Sequence, residues 1–180
     1  MITLPCFVQD FLDNFKNNGF QIYIVGGAVR DLIMNRDLQA DGINWDFASN
    51  ATPEEILKLY PDAFYNNKYG TVTIPFTVET GHAPSLQLKT KTFLFEVTPF
   101  RKESQYKDFR HPQKIEWAST IEEDLARRDF TINAIAYDGK NIIDPFHGRK
   151  HIEEKVIVAV GVPDNRFKED ALRLLIFLSV

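Results

Sequence analysis

The N-terminal part of the chain changes from a helical to an extended pattern of hydrophobic positions. Phe7, Phe11 and Phe15 recur at four-residue spacing, which is typical of the buried face of an amphipathic helix. Gly19 follows at a position suited to the end of that helix. Residues 21–25 are rich in β-branched and aromatic side chains, a composition that predicts a buried strand. The pattern therefore predicts a helix followed by a strand.

A glycine pair, Gly26 and Gly27, comes directly after this strand. Glycine has no side chain, so the backbone can approach a ligand closely there. Residues 28–34 lack Gly and Pro and favour a second helix, and Arg30 adds a positive charge to its first turn. Free N–H groups and the positive end of the helix dipole suit a phosphate group. A tight strand-to-helix turn without a ligand would explain the glycines too, but the nearby arginine favours phosphate.

A second strand-like run, residues 44–49, carries two oxygen-bearing side chains. Asn44 and Asp46 are two positions apart, so they share one face of the strand. Two oxygen ligands on one face are suited to holding Mg²⁺. The run therefore predicts a magnesium site with Asp46 and Asn44 as ligands.

The middle of the chain predicts a further helix and a hairpin. Thr52, Pro53 and Glu55 have the spacing of a capping box with proline at the first helical position. Residues 72–78 and 87–97 are strand-like and are joined by a loop that contains glycine and proline, which predicts an antiparallel hairpin. Added to the first two strands, the hairpin gives an α+β fold, with a mixed, mostly antiparallel sheet flanked by helices.

Two helices are predicted in the C-terminal part of the chain. Thr120 and Glu123 have capping-box spacing, and the helix that they open is predicted to continue through Arg128. Arg127 and Arg128 would then point to different sides of this helix, so that only one could readily face a ligand. Residues 166–180 predict a closing helix that is apolar in its last turns.

Composition narrows the class of protein. The chain has 180 residues, of which 44% are hydrophobic, enough for a folded core. No stretch approaches the roughly 20 apolar residues that a membrane span requires, and the single cysteine, Cys6, excludes an internal disulfide framework. We therefore expect a cytoplasmic protein that does not enter the membrane.

The formal net charge of −4 does not favour binding to nucleic acid over the whole surface, because nucleic-acid affinity depends largely on Lys and Arg. A local concentration of positive charge lies within residues 101–114. Its members are Arg101, Lys102, Lys107, Arg110 and Lys114. A solvated loop with balancing acidic residues explains this segment equally well.

Six motifs follow one another along the chain. They read GGAVRD, a carboxylate-bearing strand, FEVTPFRKE, DLARRDFTINAIAYD, IIDPFHG and RFKEDALR. In this order they resemble the motifs of the class II tRNA nucleotidyltransferase (CCA-adding enzyme) and bacterial poly(A) polymerase family, within the polymerase β-like nucleotidyltransferases. The resemblance runs from Tyr23 to Arg173 and implies the head-domain fold of that family.

The resemblance implies nucleotide-binding roles for residues of two motifs. Those implied to meet the triphosphate are Gly26, Gly27 and Arg30. Arg128 would bind a nucleotide phosphate or the ribose, with Asp129 and Asn133 shaping the ribose pocket. The last two stand four positions apart, the spacing of neighbours on one helical face. Without the resemblance, this segment would be interpreted as an exposed cluster of charges.

Asp170 and Arg173 are expected to recognise the base. At three-residue spacing they share one helix face, where the carboxylate accepts and the guanidinium donates hydrogen bonds. Cytosine and adenine both present an amino donor beside a ring-nitrogen acceptor, and guanine and uracil present the reverse order. The pair would leave buried groups unpaired against G and U, at about 1 to 3 kcal/mol per group. Standing alone, the pair would be interpreted as an intrahelical ion pair.

The metal strand departs from the family pattern. The family carries Asp-x-Asp where this chain reads Asn44-Trp45-Asp46. An amide oxygen can ligate Mg²⁺, but it adds no negative charge and cannot accept a proton from a 3′-hydroxyl. We therefore expect severely reduced catalysis. Glu96 is a candidate third catalytic carboxylate, since it stands among apolar residues where a cation would offset its burial. An ion pair with Arg101 explains Glu96 equally well.

The resemblance implies a domain organisation and a reaction. Residues 1–138 would form the catalytic head, and residues 139–180 the start of a truncated helical neck, completed by missing C-terminal domains or a partner chain. The implied reaction adds C and A from CTP and ATP to the 3′ end of tRNA. Two alternatives stay open: a poly(A) polymerase or an enzyme that adds only CC or only A, and, from a different class, a non-catalytic nucleotide- or RNA-binding module.

Overall fold

The computed structural model describes residues 2–36, 45–66, 70–80, 89–106, 112–164 and 166. Its helices are α1 (Cys6–Asn17), α2 (Gly27–Ile33), α3 (Pro53–Leu59), α4 (Ile121–Ala126) and α5 (Gly148–Glu153), with a 3₁₀ turn at Thr131–Asn133. Its strands are β1 (Ile22–Val25), β2 (Asp46–Ser49), β3 (Phe64–Asn66), β4 (Thr71–Thr80), β5 (Lys89–Pro99), β6 (Arg101–Tyr106), β7 (Pro112–Trp117), β8 (Ala136–Tyr137) and β9 (Ile142–Ile143). Asn44, Asp170 and Arg173 lie outside the described residues, as does the predicted closing helix beyond Arg166.

Seven of the described strands form one sheet in the order β3-β4-β5-β2-β1-β8-β9. Neighbouring strands are antiparallel except for β2 and β5, which are parallel. Strands β6 and β7 form a separate antiparallel hairpin. The predicted α+β fold with a mixed, mostly antiparallel sheet is therefore confirmed.

One face of the sheet packs against helices α1, α2 and α3 in an aromatic core. Phe11 of α1 lies 4.7 Å, between ring centroids, from both Phe47 of β2 and Phe95 of β5. Phe15, one helical turn later, is also fully buried. The four-residue spacing of phenylalanines thus forms the buried face of α1, as the sequence predicts.

The opposite face of the sheet packs against α4 and carries smaller side chains. Its buried residues are Val25, Ala48, Phe100, Ile121, Leu125, Ala134, Ala136 and Val160. Successive side chains of a strand point to opposite faces, so Asp46 lies on the same face as Ala48, away from Phe47. The candidate site residues of β2 therefore belong to this second face.

The predicted capping box at the start of α3 is confirmed. The Thr52 hydroxyl accepts a hydrogen bond from the Glu55 backbone N–H at 3.3 Å, and the Glu55 carboxylate accepts one from the Thr52 N–H at 2.8 Å. Pro53 occupies the first helical position, where its missing N–H leaves no intrahelical bond unmade.

Helix α4 is shorter than the sequence predicts. It ends at Ala126, so the prediction that it continues through Arg128 is wrong. The Asp129 carboxylate accepts a hydrogen bond from the Phe130 N–H at 2.6 Å, and Phe130 forms a β-bridge with Ala159. Such a local side-chain bond offers the backbone an alternative to the helix, and the bridge holds the chain extended.

The predicted helical face shared by Asp129 and Asn133 is wrong for the same reason. Phe130 lies extended between them and is 2% exposed, and Asn133 ends a single 3₁₀ turn. The two side chains still meet, with the Asn133 amide 3.4 Å from the Asp129 carboxylate. Their proximity therefore comes from a tight turn rather than from helical spacing.

Beyond residue 138, strand β9 extends the same sheet by pairing with β8, and α5 follows. The predicted boundary between head and neck stays a prediction. Cys6 is exposed and makes no disulfide. No helix in the described part of the chain is long and apolar enough to cross a membrane.

Candidate active site

Gly26 forms the turn between β1 and α2 in a conformation that favours glycine. Its φ of 69° and ψ of −140° lie where L side chains are rarely found. The preceding Val25 is buried in the second face of the sheet, whereas Ala28 is buried against the aromatic core. The chain must therefore turn sharply here, and the first N–H groups of α2 are left without intrahelical acceptors. The predicted glycine turn is confirmed.

One carboxylate and two guanidinium groups meet at this turn. A Cβ atom added to Gly26 would lie 3.4 Å from Nη1 of Arg128 and 3.9 Å from Oδ2 of Asp46. A Cβ atom added to Gly27 would lie 3.5 Å from Nη2 of Arg30. The glycine pair therefore leaves space into which charges of both signs project, as binding of a phosphate together with a cation requires.

Asp46 faces a second carboxylate across the parallel strand pair. It lies opposite Glu96 in the register of β2 and β5, so the two side chains stand on the same face of the sheet. Burial and the charge of Glu96 raise the pKa of Asp46 to about 6, against the opposing effect of Arg128. Two neighbouring carboxylates resist simultaneous ionisation, and a divalent cation would relieve this repulsion.

The Asp46–Glu96 pair fits Mg²⁺, since carboxylate oxygens are its preferred protein ligands. Among the residues that the structure describes, no group of three or more His, Cys, Asp or Glu side chains is placed to hold a metal ion. The predicted ligand Asn44 lies outside those residues. The described part of the chain thus offers two carboxylates to a cation.

The predicted apolar surroundings of Glu96 are wrong, because its side chain is exposed. Its sequence neighbours Phe95 and Val97 are fully buried, but they point to the aromatic core on the other face of β5. Repulsion with Asp46, rather than burial among apolar groups, is therefore the reason for Glu96 to favour a cation. The alternative ion pair with Arg101 stays a prediction.

Arg30 is held in place from two sides. Its Nε donates to the Asp31 carboxylate at 3.2 Å, and its Nη1 donates to the Asn133 side-chain oxygen at 3.1 Å. The amide of Asn133 in turn donates to Asp129 at 3.4 Å. The structure thus connects the GGAVRD motif directly with the RRDFTIN segment, as the predicted site requires.

Asp124 holds both arginines that follow α4. Its Oδ1 accepts from Nη2 of Arg127 at 2.9 Å, and its Oδ2 accepts from Nη2 of Arg128 at 3.0 Å. The expectation that the two arginines point to different sides is wrong, because both lie beyond the last residue of α4 and turn back to one carboxylate. Asp124 is a residue of this site that the sequence motifs do not single out. Opposite charges at positions i, i+3 and i+4 were the available signal.

A cavity of about 360 Å³ adjoins Arg30 between α2 and α5. Basic side chains from two segments line it together with apolar ones and His151, and these basic residues are Arg30, Arg36 and Lys155. Three basic side chains are therefore gathered at this cavity, although the chain as a whole is acidic.

The sequence matches the family described as Poly A polymerase head domain over residues 22–158. This span covers most of the chain, including every strand of the seven-stranded sheet. The chain belongs to the poly A polymerase head domain family. The resemblance stated from the motifs is thereby confirmed.

Relatives of this head domain include named CCA-adding enzymes. The CCA-adding enzyme of Geobacillus kaustophilus is 43% identical over 162 residues, which make up 89% of this chain and 36% of that protein. The CCA-adding enzyme of Streptococcus mutans is 41% identical over 166 residues, covering 91% of this chain and 37% of that protein. The chain therefore spans little more than a third of the length of these relatives.

A solved structure of similar fold is that of the Bacillus stearothermophilus CCA-adding enzyme in complex with CTP. It superposes with a TM-score of 0.73 and 34% sequence identity, covering 96% of this chain and 38% of that chain. The likeness in fold extends over almost the whole chain.

Most of the predicted site residues come together in this head domain. They are Gly26, Gly27, Arg30, Asp46, Glu96, Arg128, Asp129 and Asn133. Their roles toward a nucleotide stay predictions. Asn44, Asp170 and Arg173, which lie outside the described residues, stay predictions in both place and role.

Proposed function

We propose that the chain is the catalytic head of a tRNA nucleotidyltransferase. The enzyme would add C and A to the 3′ end of tRNA from CTP and ATP, without a nucleic-acid template and with release of pyrophosphate. The observation that carries the proposal is the meeting of Arg30, Asp46 and Arg128 at the glycine pair. The relatives named CCA-adding enzymes, one of them solved with CTP, support it.

The triphosphate would lie on the glycine turn. The absence of side chains at Gly26 and Gly27 admits phosphate oxygens to the backbone N–H groups, and Arg30 and Arg128 project into the same space. Nucleotidyl transfer depends mainly on positioning and charge stabilisation rather than covalent help from the protein. Two arginines fixed at the turn supply both.

Asp46, with Glu96 and Asn44, would hold Mg²⁺. When bound there, the ion would neutralise phosphate charge and orient the reacting oxygens. Asp46 must be ionised to be a ligand. Burial and the charge of Glu96 raise its pKa to about 6 against the opposing effect of Arg128, so the carboxylate is mostly ionised at neutral pH. We expect Asn44 to be the weak member of the set, because its amide carries no charge.

Selection of the base is assigned to the C-terminal part of the chain. We propose that residues 1–138 form the head and that residues 139–180 begin a neck, in which Asp170 and Arg173 pair with the amino edge of C or A. Asn133 accepts a hydrogen bond from Arg30, which would face the phosphates. Asp129 and Asn133 would therefore border the neighbouring part of the nucleotide, the ribose.

The RNA would be held partly by this chain and partly by further domains or a partner chain. Arg36 and Lys155 line the cavity beside Arg30 and place positive charge where a polyanion would approach. The chain spans little more than a third of its relatives' length, which leaves room for other RNA-binding parts. We place the reaction in the cytoplasm, where tRNA and nucleoside triphosphates are available.

A tRNA that ends at its discriminator base tests the proposal. The chain and its Asn44→Asp variant are each incubated with this tRNA, Mg²⁺ and one nucleoside triphosphate at a time, and products are resolved by length. We expect addition from CTP and ATP but not from GTP or UTP, at a rate at least about tenfold higher for Asn44→Asp. Repeated addition of A would instead indicate a poly(A) polymerase, and addition of only CC or one A a restricted enzyme.

A second candidate, a non-catalytic nucleotide- or RNA-binding module, is favoured by one observation. The metal strand carries Asn44 where the resembling family carries an aspartate. Binding of CTP or ATP without addition by either form would support this module and overturn the proposed activity. Addition by Asn44→Asp alone would identify an enzyme weakened at a single ligand.

A further inference from the structure

Asp124 carries a charge in the interior of the protein. Its side chain is 1% exposed, and an ionised carboxylate in such a place is costly unless it is paired and hydrogen-bonded. Burial alone would raise the pKa of Asp124, but Arg128 and Arg127 outweigh burial and hold the pKa below its ordinary value. The carboxylate is therefore ionised and bound to both arginines at neutral pH.

Arg128 divides its guanidinium group between Asp124 and the glycine turn. Nη2 lies 3.0 Å from Oδ2 of Asp124, and Nη1 lies 3.4 Å from the Cβ position of Gly26. Nε is buried and has no hydrogen-bond partner within the residues that the structure describes. The orientation of the Arg128 guanidinium group therefore depends on Asp124.

Asp124 is itself fixed in position. It belongs to α4, whose neighbouring side chains Ile121 and Leu125 are buried against the sheet. Its Oδ1 also accepts a hydrogen bond from the Arg101 N–H, at the start of β6, at 3.3 Å. A carboxylate anchored by a packed helix and a strand end cannot follow a moving arginine. It sets where the arginine lies.

We infer that Asp124 is a positioning residue for nucleotide binding, which holds Arg128 so that one nitrogen of its guanidinium faces the phosphates at the glycine turn. The inference rests on the proposed function, because it takes a nucleoside triphosphate as the ligand of that turn. Asp124 touches neither nucleotide nor cation and acts through Arg128.

Asp124→Asn tests the inference, because it keeps the shape of the side chain and removes the charge. The dissociation constants of CTP and ATP are measured by titration calorimetry in the presence of Mg²⁺, which requires no turnover. We expect both nucleotides to bind about tenfold more weakly.

Asp138→Asn is the matched control. The Asp138 carboxylate also accepts hydrogen bonds from backbone N–H groups, those of Lys140 and Asn141. It follows the end of β8 that points away from the glycine turn, so its variant should keep full nucleotide affinity.

A double-mutant cycle separates positioning from general structural support. Arg128→Ala should weaken nucleotide binding by itself, and Asp124→Asn should weaken it no further in that background, because its effect passes through Arg128. Losses that add in the double variant would overturn the inference. Unchanged nucleotide affinity in Asp124→Asn would overturn it as well.

Arg128→Lys gives a second test should Asp124→Asn fail to fold. Lysine keeps the charge but has one nitrogen, so it cannot bind Asp124 and face the turn at once. We expect it to lose as much affinity as Arg128→Ala, and retained affinity would overturn the inference. Absence of nucleotide binding by the unchanged chain would overturn the proposed function itself, and this inference with it.

Discussion

The two faces of strand β2 differ in what they contribute to the protein. Phe47 points into the aromatic core, where it is 1% exposed and in ring contact with Phe11 and Phe95. Asp46, the residue before it, points to the other face, opposite Glu96 and beside the glycine turn. One face is built from groups that gain by burial, and the other gathers charges that repel or lose hydration. Stability and function are therefore assigned to alternate residues of one strand.

The aromatic face supplies stability through packing. The Phe95 ring lies 4.7 Å from Phe11, 5.2 Å from Phe47 and 5.1 Å from Phe76 between centroids. Each fully buried side chain of this kind contributes roughly 1.5 to 3 kcal/mol, and aromatic pairs add about 0.5 to 1.5 kcal/mol. Substitutions on this face should lower the free energy of unfolding without changing the affinity for the nucleotide.

The site face shows the opposite balance. Burial and the charge of Glu96 raise the pKa of Asp46 to about 6, so the folded state favours the neutral acid more than the unfolded state does. Ionised Asp46 therefore opposes folding at neutral pH. Retaining it is explained by function, since a cation and a nucleotide require that charge.

Phe95→Ala should produce the largest change in stability among substitutions that compare the two faces. Removing a fully buried ring from the centre of the aromatic cluster should cost about 3 to 5 kcal/mol of unfolding free energy. Urea unfolding measures it. Leu94→Ala is the matched control, because Leu94 is the adjacent residue of β5, lies on the other face and is 60% exposed; we expect a change within about 0.5 kcal/mol. Equal losses in the two variants would contradict the division between faces.

Asp46→Asn should reverse the sign of the stability change. In the Asn44→Asp background, we expect nucleotide addition to fall at least about 10³-fold, or roughly 4 kcal/mol of barrier. Introduced into the otherwise unchanged chain and measured without Mg²⁺, Asp46→Asn should raise the free energy of unfolding at pH 8 by about 1 to 3 kcal/mol, because it removes a charge that the folded state disfavours. Mg²⁺ should then stabilise the parent protein and not the variant.

The pH dependence of that gain follows from the sign of the pKa shift. The pKa of Asp46 in the folded protein, about 6, lies above its ordinary value of 3.8. Between these values the folded state binds the extra proton, so the parent protein loses stability as the pH rises through this window. The stabilisation by Asp46→Asn should thus be small near pH 4 and complete above pH 6. Unfolding curves in which the variant is less stable at pH 8 would contradict the assignment.

The elements that the sequence predicts correctly carry their signal within a few residues. The capping box of Thr52 and Glu55, the glycine turn at Gly26 and the phenylalanine spacing of α1 each depend on local chemistry. Their hydrogen bonds and burial patterns need little information from the rest of the chain. The family motifs added the site residues, since their spacing alone would not have joined β2 to the segment after α4.

The errors arise where distant segments decide local structure. Helix α4 stops before Arg127 because Phe130 bridges Ala159, a pairing that no short window of sequence reveals. The surroundings of Glu96 depend on which strand lies beside β5, and the parallel neighbour β2 places Asp46 there. Asp124 was overlooked because its spacing from two arginines is also common on solvated helices.

Gly26→Ala should give a smaller change that sharpens the contrast between strain and function. Alanine at a φ of 69° is strained by about 1 to 3 kcal/mol, and its methyl group would lie 3.4 Å from Nη1 of Arg128. We therefore expect lower stability together with roughly three- to tenfold weaker CTP binding. Gly19→Ala is the matched control, since its φ is 84° and nothing lies within 4 Å of the new methyl; it should lose about 1 kcal/mol and no affinity. Both substitutions strain the backbone, but only the methyl group at position 26 would lie beside Arg128. If calorimetric titration shows that Gly26→Ala binds CTP as tightly as Gly19→Ala does, Gly26 serves only to form a tight turn.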